Sequence, residues 1–157
     1  MRGKVIFLFT FWPIVVFGQM YDYNWLLGYE SDLSQEGIEG AILNFHDNEL
    51  EVGPEVLGTS MGWSSSVISD SSGFLLFYTD GCRVYGSNHQ LLENGDGINP
   101  GEVHDEYCDD SNIDFGYVAG RQSSLILPHP SDNNFYYIFH KHVILDYDPP
   151  IDVTTDA

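Results

Sequence analysis

Between Ser64 and Gly97 the chain reads SSSVISDSSGFLLFYTDGCRVYGSNHQLLENGDG, and turn residues interrupt it too often for a helix. Val67-Ile68 and Leu75 to Thr79 are β-branched, aromatic and aliphatic, the residue types that suit a pleated surface. Between them lies Asp70-Ser71-Ser72-Gly73, whose Asp and Ser side chains can bond nearby backbone while Gly accepts positive φ. Asp80-Gly81 is a hairpin signal. Cys82 to Tyr85 reads as the return strand, Gly86-Ser87-Asn88 as the next turn, and Asn94 to Gly97 as a stop. A helix of about eleven residues has no room among these breaks. This stretch is an antiparallel meander.

The chain begins with an export signal. Arg2 and Lys4 form a positive n-region, and Val5 to Phe17 is an almost unbroken apolar run. Val16 and Gly18 are small residues at the −3 and −1 positions for cleavage before Gln19. A membrane anchor is the rival reading, but a spanning helix needs roughly 20 apolar residues, and this run is shorter and contains Pro13. The division is therefore residues 1–18 as signal peptide and 19–157 as one β-meander domain. No later stretch is long and apolar enough to span a bilayer.

The chain carries 24 Asp+Glu against 5 Lys+Arg, a net charge of −19. Removing the signal takes away two of the basic residues and no acid, so the domain is more acidic still. Such a surface repels nucleic acid and anionic lipid, which sets both aside as partners. Disorder is excluded by the 43% hydrophobic and 15% aromatic content.

Tyr21 to Tyr29 (YDYNWLLGY) reads as the first strand, with Trp25 and the tyrosines as core anchors rather than a ligand platform. Ser31 to Gly40 reads as a loop and Ala41 to Phe45 as the second strand. Asn48 to Leu57 forms a further pair around Gly53-Pro54, with Pro54 confining it to an edge or a turn. Asn99 to Gly120 is acidic and irregular, a long surface loop tied down by chemistry rather than packing. Ser123 to His142 repeats the central logic: strand Leu125 to Leu127, turn Pro128 to Asn134, return strand Phe135 to Phe139. The offset between Val67-Ile68 and Ile126-Leu127 exceeds the blade repeat of about 40–50 residues, and a loop insertion accounts for the excess.

Cys82 and Cys108 are the two cysteines of an exported chain, so a disulfide is the favoured state. Free thiols are the alternative, and a mixed Cys/His metal site lacks the usual CxxC or HxxxH spacing. Asp110, Asn112 and Asp114 alternate as calcium-loop oxygens do. The EF-hand pattern wants Gly where Phe115 stands and Glu where Arg121 stands, so a solvated acidic loop competes with calcium as the reading. His140 and His142, two apart, share a face on a strand and can meet one metal; no third ligand is evident, and surface histidines are the plainer reading. Ser64 to Ser66 lack the G-x-S-x-G context of a hydrolase nucleophile. No catalytic constellation emerges.

SDSSGFLLFYTDGCRVY, then NHQLLENGDGINPG, then QSSLILPHPSDNNFYYIFH resembles the N-terminal propeller-like region of large secreted surface proteins of Bacteroidetes-type gliding bacteria. The likeness runs from about Trp25 to His140. Those proteins commonly carry a C-terminal type IX secretion sorting domain, which this sequence lacks, and its strands suffice for about two blades where propellers have four to eight. The resemblance implies a cell-surface, gliding-motility-associated location and an all-β, partial β-propeller-like fold. On that reading the chain is the front piece of a longer protein. A β-sandwich is the runner-up architecture. The expected function is a non-enzymatic binding or adhesion module whose exposed aromatics and acidic loops contact glycans or partner proteins. The alternative is a propeller-type glycan hydrolase fragment with its active residues partly outside this chain.

Overall fold

The computed structural model describes residues 20–28, 40–46, 49–108, 116–117 and 120–143. The signal-like residues 1–18 and the calcium candidates Asp110, Asn112 and Asp114 lie outside these. Among the described residues eight strands and one short helix follow in order. They are β1 (Asn24–Leu27), β2 (Gly40–Asn44), β3 (Glu51–Glu55), β4 (Ser66–Ser69), β5 (Leu75–Thr79), β6 (Val84–Gly86), α1 (Glu102–Tyr107), β7 (Ser124–His129) and β8 (Asp132–His140). All pairings are antiparallel between sequence neighbours: sheet 1 is β1-β2-β3, sheet 2 is β4-β5-β6 and sheet 3 is β7-β8. The fold is all-β and meander-built, and among the described residues no sheet closes into a barrel. The described residues form two three-stranded meanders and one hairpin where two units were read from sequence, because β1 to β3 form a sheet of their own.

Turn chemistry places the strands of sheet 2. The Asp70 carboxylate accepts the backbone N–H of Ser72 (2.7 Å) and Phe74 (3.1 Å), closing the β4–β5 turn, and Gly73 takes φ 87° there. At the β5–β6 turn, the buried Asp80 carboxylate accepts the N–H of Cys82 (2.7 Å) and Arg83 (2.6 Å) and the Thr59 hydroxyl (2.6 Å). Gly81 follows with φ 88°, and a Cβ there would lie 2.8 Å from Tyr117 Cβ and 2.9 Å from Ser64 Cβ. Only glycine fits both the dihedral and the space.

Sheet 2 is the middle layer. Its row Val67–Tyr78–Tyr85 shares one face and packs against Leu26 and Ile42 of sheet 1, with Leu57 and Met61 filling in. Tyr78 and Tyr85 stack with ring centroids 5.5 Å apart. The opposite face carries Ile68 and Phe77, and the Phe77 ring meets Tyr136 of sheet 3 edge-on at 5.4 Å. The leading strands of successive sheets are neighbours, β1 against β4 and β4 against β7.

A polar staple decides which way sheet 1 faces. Asn24 Nδ2 donates to Ser69 Oγ (2.9 Å) and to the Gly73 carbonyl (2.7 Å), while its Oδ1 accepts from Asn44 Nδ2 (3.2 Å). With Asn24 and Leu26 turned inward, the two-residue strand period sends Trp25 and Leu27 outward. The reading of Trp25 as a core anchor is corrected here: it stands 51% exposed. Two further expectations change. Asn48 to Leu57 holds a single edge strand, β3, rather than a pair, and Pro54 sits in it. The β7–β8 hairpin turns at Pro130-Ser131, so Pro128 belongs to β7 and Asp132 already pairs with His129.

The segment after Asn99 is not held by chemistry alone. Val103 of α1, Cys82, Cys108 and Tyr117 form a second buried cluster, with Tyr107 and Val143 against it. Asn99 is buried and donates from Nδ2 to the Gly81 carbonyl (2.9 Å). What reads as a polar loop contributes core residues.

Candidate functional site

Sheet 3 is apolar on both faces, and the described residues cover only one. Ile126, Ile138, Pro128 and Tyr136 lie on the side toward sheet 2; the register sets Leu125 opposite Phe139 and Leu127 opposite Tyr137 on the other. Phe135 extends that outer row. These five side chains are between 42% and 63% exposed. His129 completes the surface, its ring 5.5 Å from Tyr137 and 6.5 Å from Phe135, and Tyr137 lies 6.1 Å from Phe139. At roughly 150–250 Å² of burial capacity per aromatic side chain, the uncovered area is on the order of 500 Å². That is as large as the biggest apolar patch an ordinary monomer leaves open, and such patches are commonly functional.

The charge around this surface departs from the rest of the chain. Residues 120–143 contain one acid, Asp132, against Arg121 and Lys141, together with His129, His140 and His142. Against a net −19 for the whole sequence, this hairpin and its flanks are an island without carboxylate excess. The face is fixed in register over β7 and β8 and partly aromatic. Chemically it can desolvate against another surface and stack rings.

Polar side chains converge at a second place, between sheets 1 and 2. Glu55 Oε1 lies 2.9 Å from His89 Nε2, and His89 Nδ1 lies 3.0 Å from the Tyr78 hydroxyl, which also accepts the Gly58 N–H at 2.9 Å. The pattern is satisfied when His89 Nε2–H donates to Glu55 and the Tyr78 hydroxyl donates to Nδ1. A carboxylate–imidazole–phenol line resembles a catalytic relay. Tyr78, however, is completely buried beneath Tyr85, so its oxygen meets no substrate and the line joins β3, β5 and the turn after β6.

Burial pushes the Tyr78 phenol from 10.0 up to about 12. A raised folded-state value means that the neutral phenol is favoured by folding. The associated stability is therefore fully present below pH 10 and is lost as pH rises from 10 toward 12. On the order of 2–3 kcal/mol is at stake. Urea midpoints should fall more steeply between pH 9 and pH 11 for the native protein than for Tyr78→Phe. That variant should also lose about 1–2 kcal/mol at pH 7, because the Gly58 N–H and His89 lose their partner. Equal slopes for the two proteins would count against the assignment.

The sequence-read sites are placed as follows. Cys82 and Cys108 are joined in a disulfide, Cα atoms 5.6 Å apart. His140 ends β8 and His142 follows it, both exposed. Among the described residues no group of three or more His, Cys, Asp or Glu is arranged to hold a metal. Ser64 is buried; its hydroxyl donates to the Tyr117 carbonyl and accepts from Ser123 at 2.7 Å. No helix among the described residues is long and apolar enough to cross a membrane. The outer face of sheet 3 escaped the sequence reading, although its signal was there: LIL and FYYIF are apolar at both strand parities, so one parity had to find a cover or go without. Compared with protein-family models, curated proteins and solved structures, the chain has no match.

Proposed function

We propose that this chain is a non-enzymatic binding or adhesion module of an exported, cell-surface protein, and that it engages its partner through exposed apolar sheet faces. The observation that carries this reading is the exposed aromatic face of β7 and β8. Small-molecule sites are typically concave and enclosing; an exposed apolar patch of this size is more typical of contact with a macromolecular surface. The basic and apolar leader favours export, and a disulfide is the covalent tie that oxidising compartments permit. The resemblance to surface proteins of gliding bacteria supports the location, the propeller-like arrangement of successive sheets and membership of a longer protein. Protein partners fit an exposed apolar patch best, with surface glycans next because aromatic rings stack on sugars.

The test is retention of the labelled purified protein on intact cells of its source and on a glycan array. Native protein should be retained on cells, and a Leu127→Ser/Tyr137→Ser double variant should lose about tenfold of that retention, the effect of removing roughly 1.4 kcal/mol or more of contact. Retention unchanged in the double variant would overturn the reading. So would release of reducing sugar from polysaccharide, abolished by substituting a specific carboxylate pair, which would establish the hydrolase alternative.

A further inference from the structure

The stack of three sheets has two ends, and each is an apolar face with nothing from the described residues packed upon it. One is the outer face of sheet 3. At the other end, the register of sheet 1 aligns Trp25 with Leu43 and Val52, and Leu27 with Ala41 and Pro54. Phe45 continues the same side, its ring 5.3 Å from Trp25. Leu27 is 51% and Val52 65% exposed, and no residue of this face is charged. Two unrelated parts of one chain thus end in the same kind of surface.

We infer that these faces belong to each other on different molecules: the outer face of sheet 3 on one copy seats on the outer face of sheet 1 on the next. This rests on the reading of the chain as a binding module and names its partner as a second copy of itself. Three observations select this pairing. The first is internal precedent, because sheets 1 and 3 already use their inner faces to pack on sheet 2 with aromatic and aliphatic side chains. A further sheet laid on either end continues the same packing.

The second observation is charge. Around sheet 1, residues 20–28, 40–46 and 49–57 carry Asp22, Glu49 and Glu51, besides the Glu55 that faces His89 on the inner side, and no Lys or Arg. Around sheet 3, residues 120–143 carry Arg121, Lys141 and a single acid. Unlike ends therefore bring an acidic rim against one without carboxylate excess. Sheet 1 on sheet 1 would oppose carboxylates, so that symmetric pairing is disfavoured. The third is area. Two faces of about 500 Å² each remove on the order of 1,000 Å² from water, near the lower limit for specific interfaces. We place its affinity in the micromolar range, the weak end for specific interfaces.

A contact between unlike faces leaves one face of each kind open at the ends of every assembly. The copies therefore continue into a ring or an open filament rather than stopping at two.

Sedimentation of the purified protein at about 0.15 M salt, where charges are screened beyond roughly 8 Å, tests this. The weight-average mass should at least double as concentration rises from about 1 to about 100 μM, the range set by micromolar affinity. Val52→Glu, which spoils the sheet 1 face, and Leu127→Glu, which spoils the sheet 3 face, should each be monomeric alone. Mixed, they should form a 1:1 pair and stop there, because each supplies the face the other lacks. Both positions are exposed, and near-ultraviolet circular dichroism with retention of the disulfide checks folding. If either glutamate variant fails that check, Trp25→Ser or Phe139→Ser takes its place.

A native protein that stays monomeric, a mixture that stays monomeric, or a Val52→Glu variant that still dimerises alone each overturns the pairing. If the native protein is monomeric yet retained on cells, the pairing fails while the binding module stands. If it is neither retained nor self-associating, both fail.

Discussion

Breaking the Cys82–Cys108 disulfide is expected to lower the free energy of unfolding by about 3–4 kcal/mol, a large fraction of the roughly 5–15 kcal/mol that holds a domain together. The bond spans a sequence separation of 26, and its loss returns that loop's closure entropy to the unfolded chain. Packing adds to the effect, since both half-cystines are buried in the cluster with Val103 and Tyr117. The bond also sets α1 beside the β5–β6 turn, where Arg83 Nη2 donates to the Cys108 carbonyl at 2.7 Å. Urea unfolding with and without reductant, alongside a Cys82→Ala/Cys108→Ala variant, measures this directly. A midpoint shift worth less than about 1 kcal/mol would mean that the Arg83 contact and the Tyr117 packing already hold the segment, leaving the bond little to contribute.

Asp80→Ala is expected to be comparably severe, at about 3–5 kcal/mol. One buried carboxylate satisfies the N–H groups of Cys82 and Arg83 and the Thr59 hydroxyl. Hydrogen bonds to a charged group contribute about 1.5–3 kcal/mol each, and donors left buried without partners carry a desolvation penalty. Asp80→Asn should retain part of this, because one amide oxygen can still accept from the turn. Thr59→Ala should lose less, about 1.5–2 kcal/mol, since it leaves both turn bonds in place. The order Ala, then Asn, then Thr59→Ala in falling cost is the outcome to look for in denaturant midpoints. A similar cost for Asp80→Ala and Thr59→Ala would show that the turn bonds carry no net stability.

These two effects bracket how much of the molecule could be read without its coordinates. Asp70 to Gly73 and Asp80-Gly81 punctuate the chain as expected, because an Asx turn or a positive-φ glycine is settled by neighbours two or three residues away. The strands between them then follow from β-branched and aromatic content. The Cys82–Cys108 pairing was legible from a count of two cysteines. Asn99 to Gly120 was harder, because its composition is that of a loop. Val103, Cys108 and Tyr117 are the apolar minority in an acidic stretch, and their burial depends on Cys82 being brought alongside from the next turn.

The all-β meander architecture and its turn chemistry were thus determined by the sequence itself, through local interactions, and the disulfide by the presence of two cysteines alone. Which faces are covered was decided only in three dimensions. Trp25 looked like a core residue, and alternation alone could not say whether residues 24 and 26 or 25 and 27 point inward. The bonds from Asn24 to Ser69 and Gly73, some 45–49 residues distant, make that choice. In β7 and β8 both parities are apolar, so hydrophobicity is equal on the two sides and has no preference to express. Contact of Phe77 with Tyr136 assigns one side to the core and leaves Leu125, Leu127, Phe135, Tyr137 and Phe139 facing out. A strand pattern records that a face is apolar; only the non-local partner determines whether that face becomes core or binding surface.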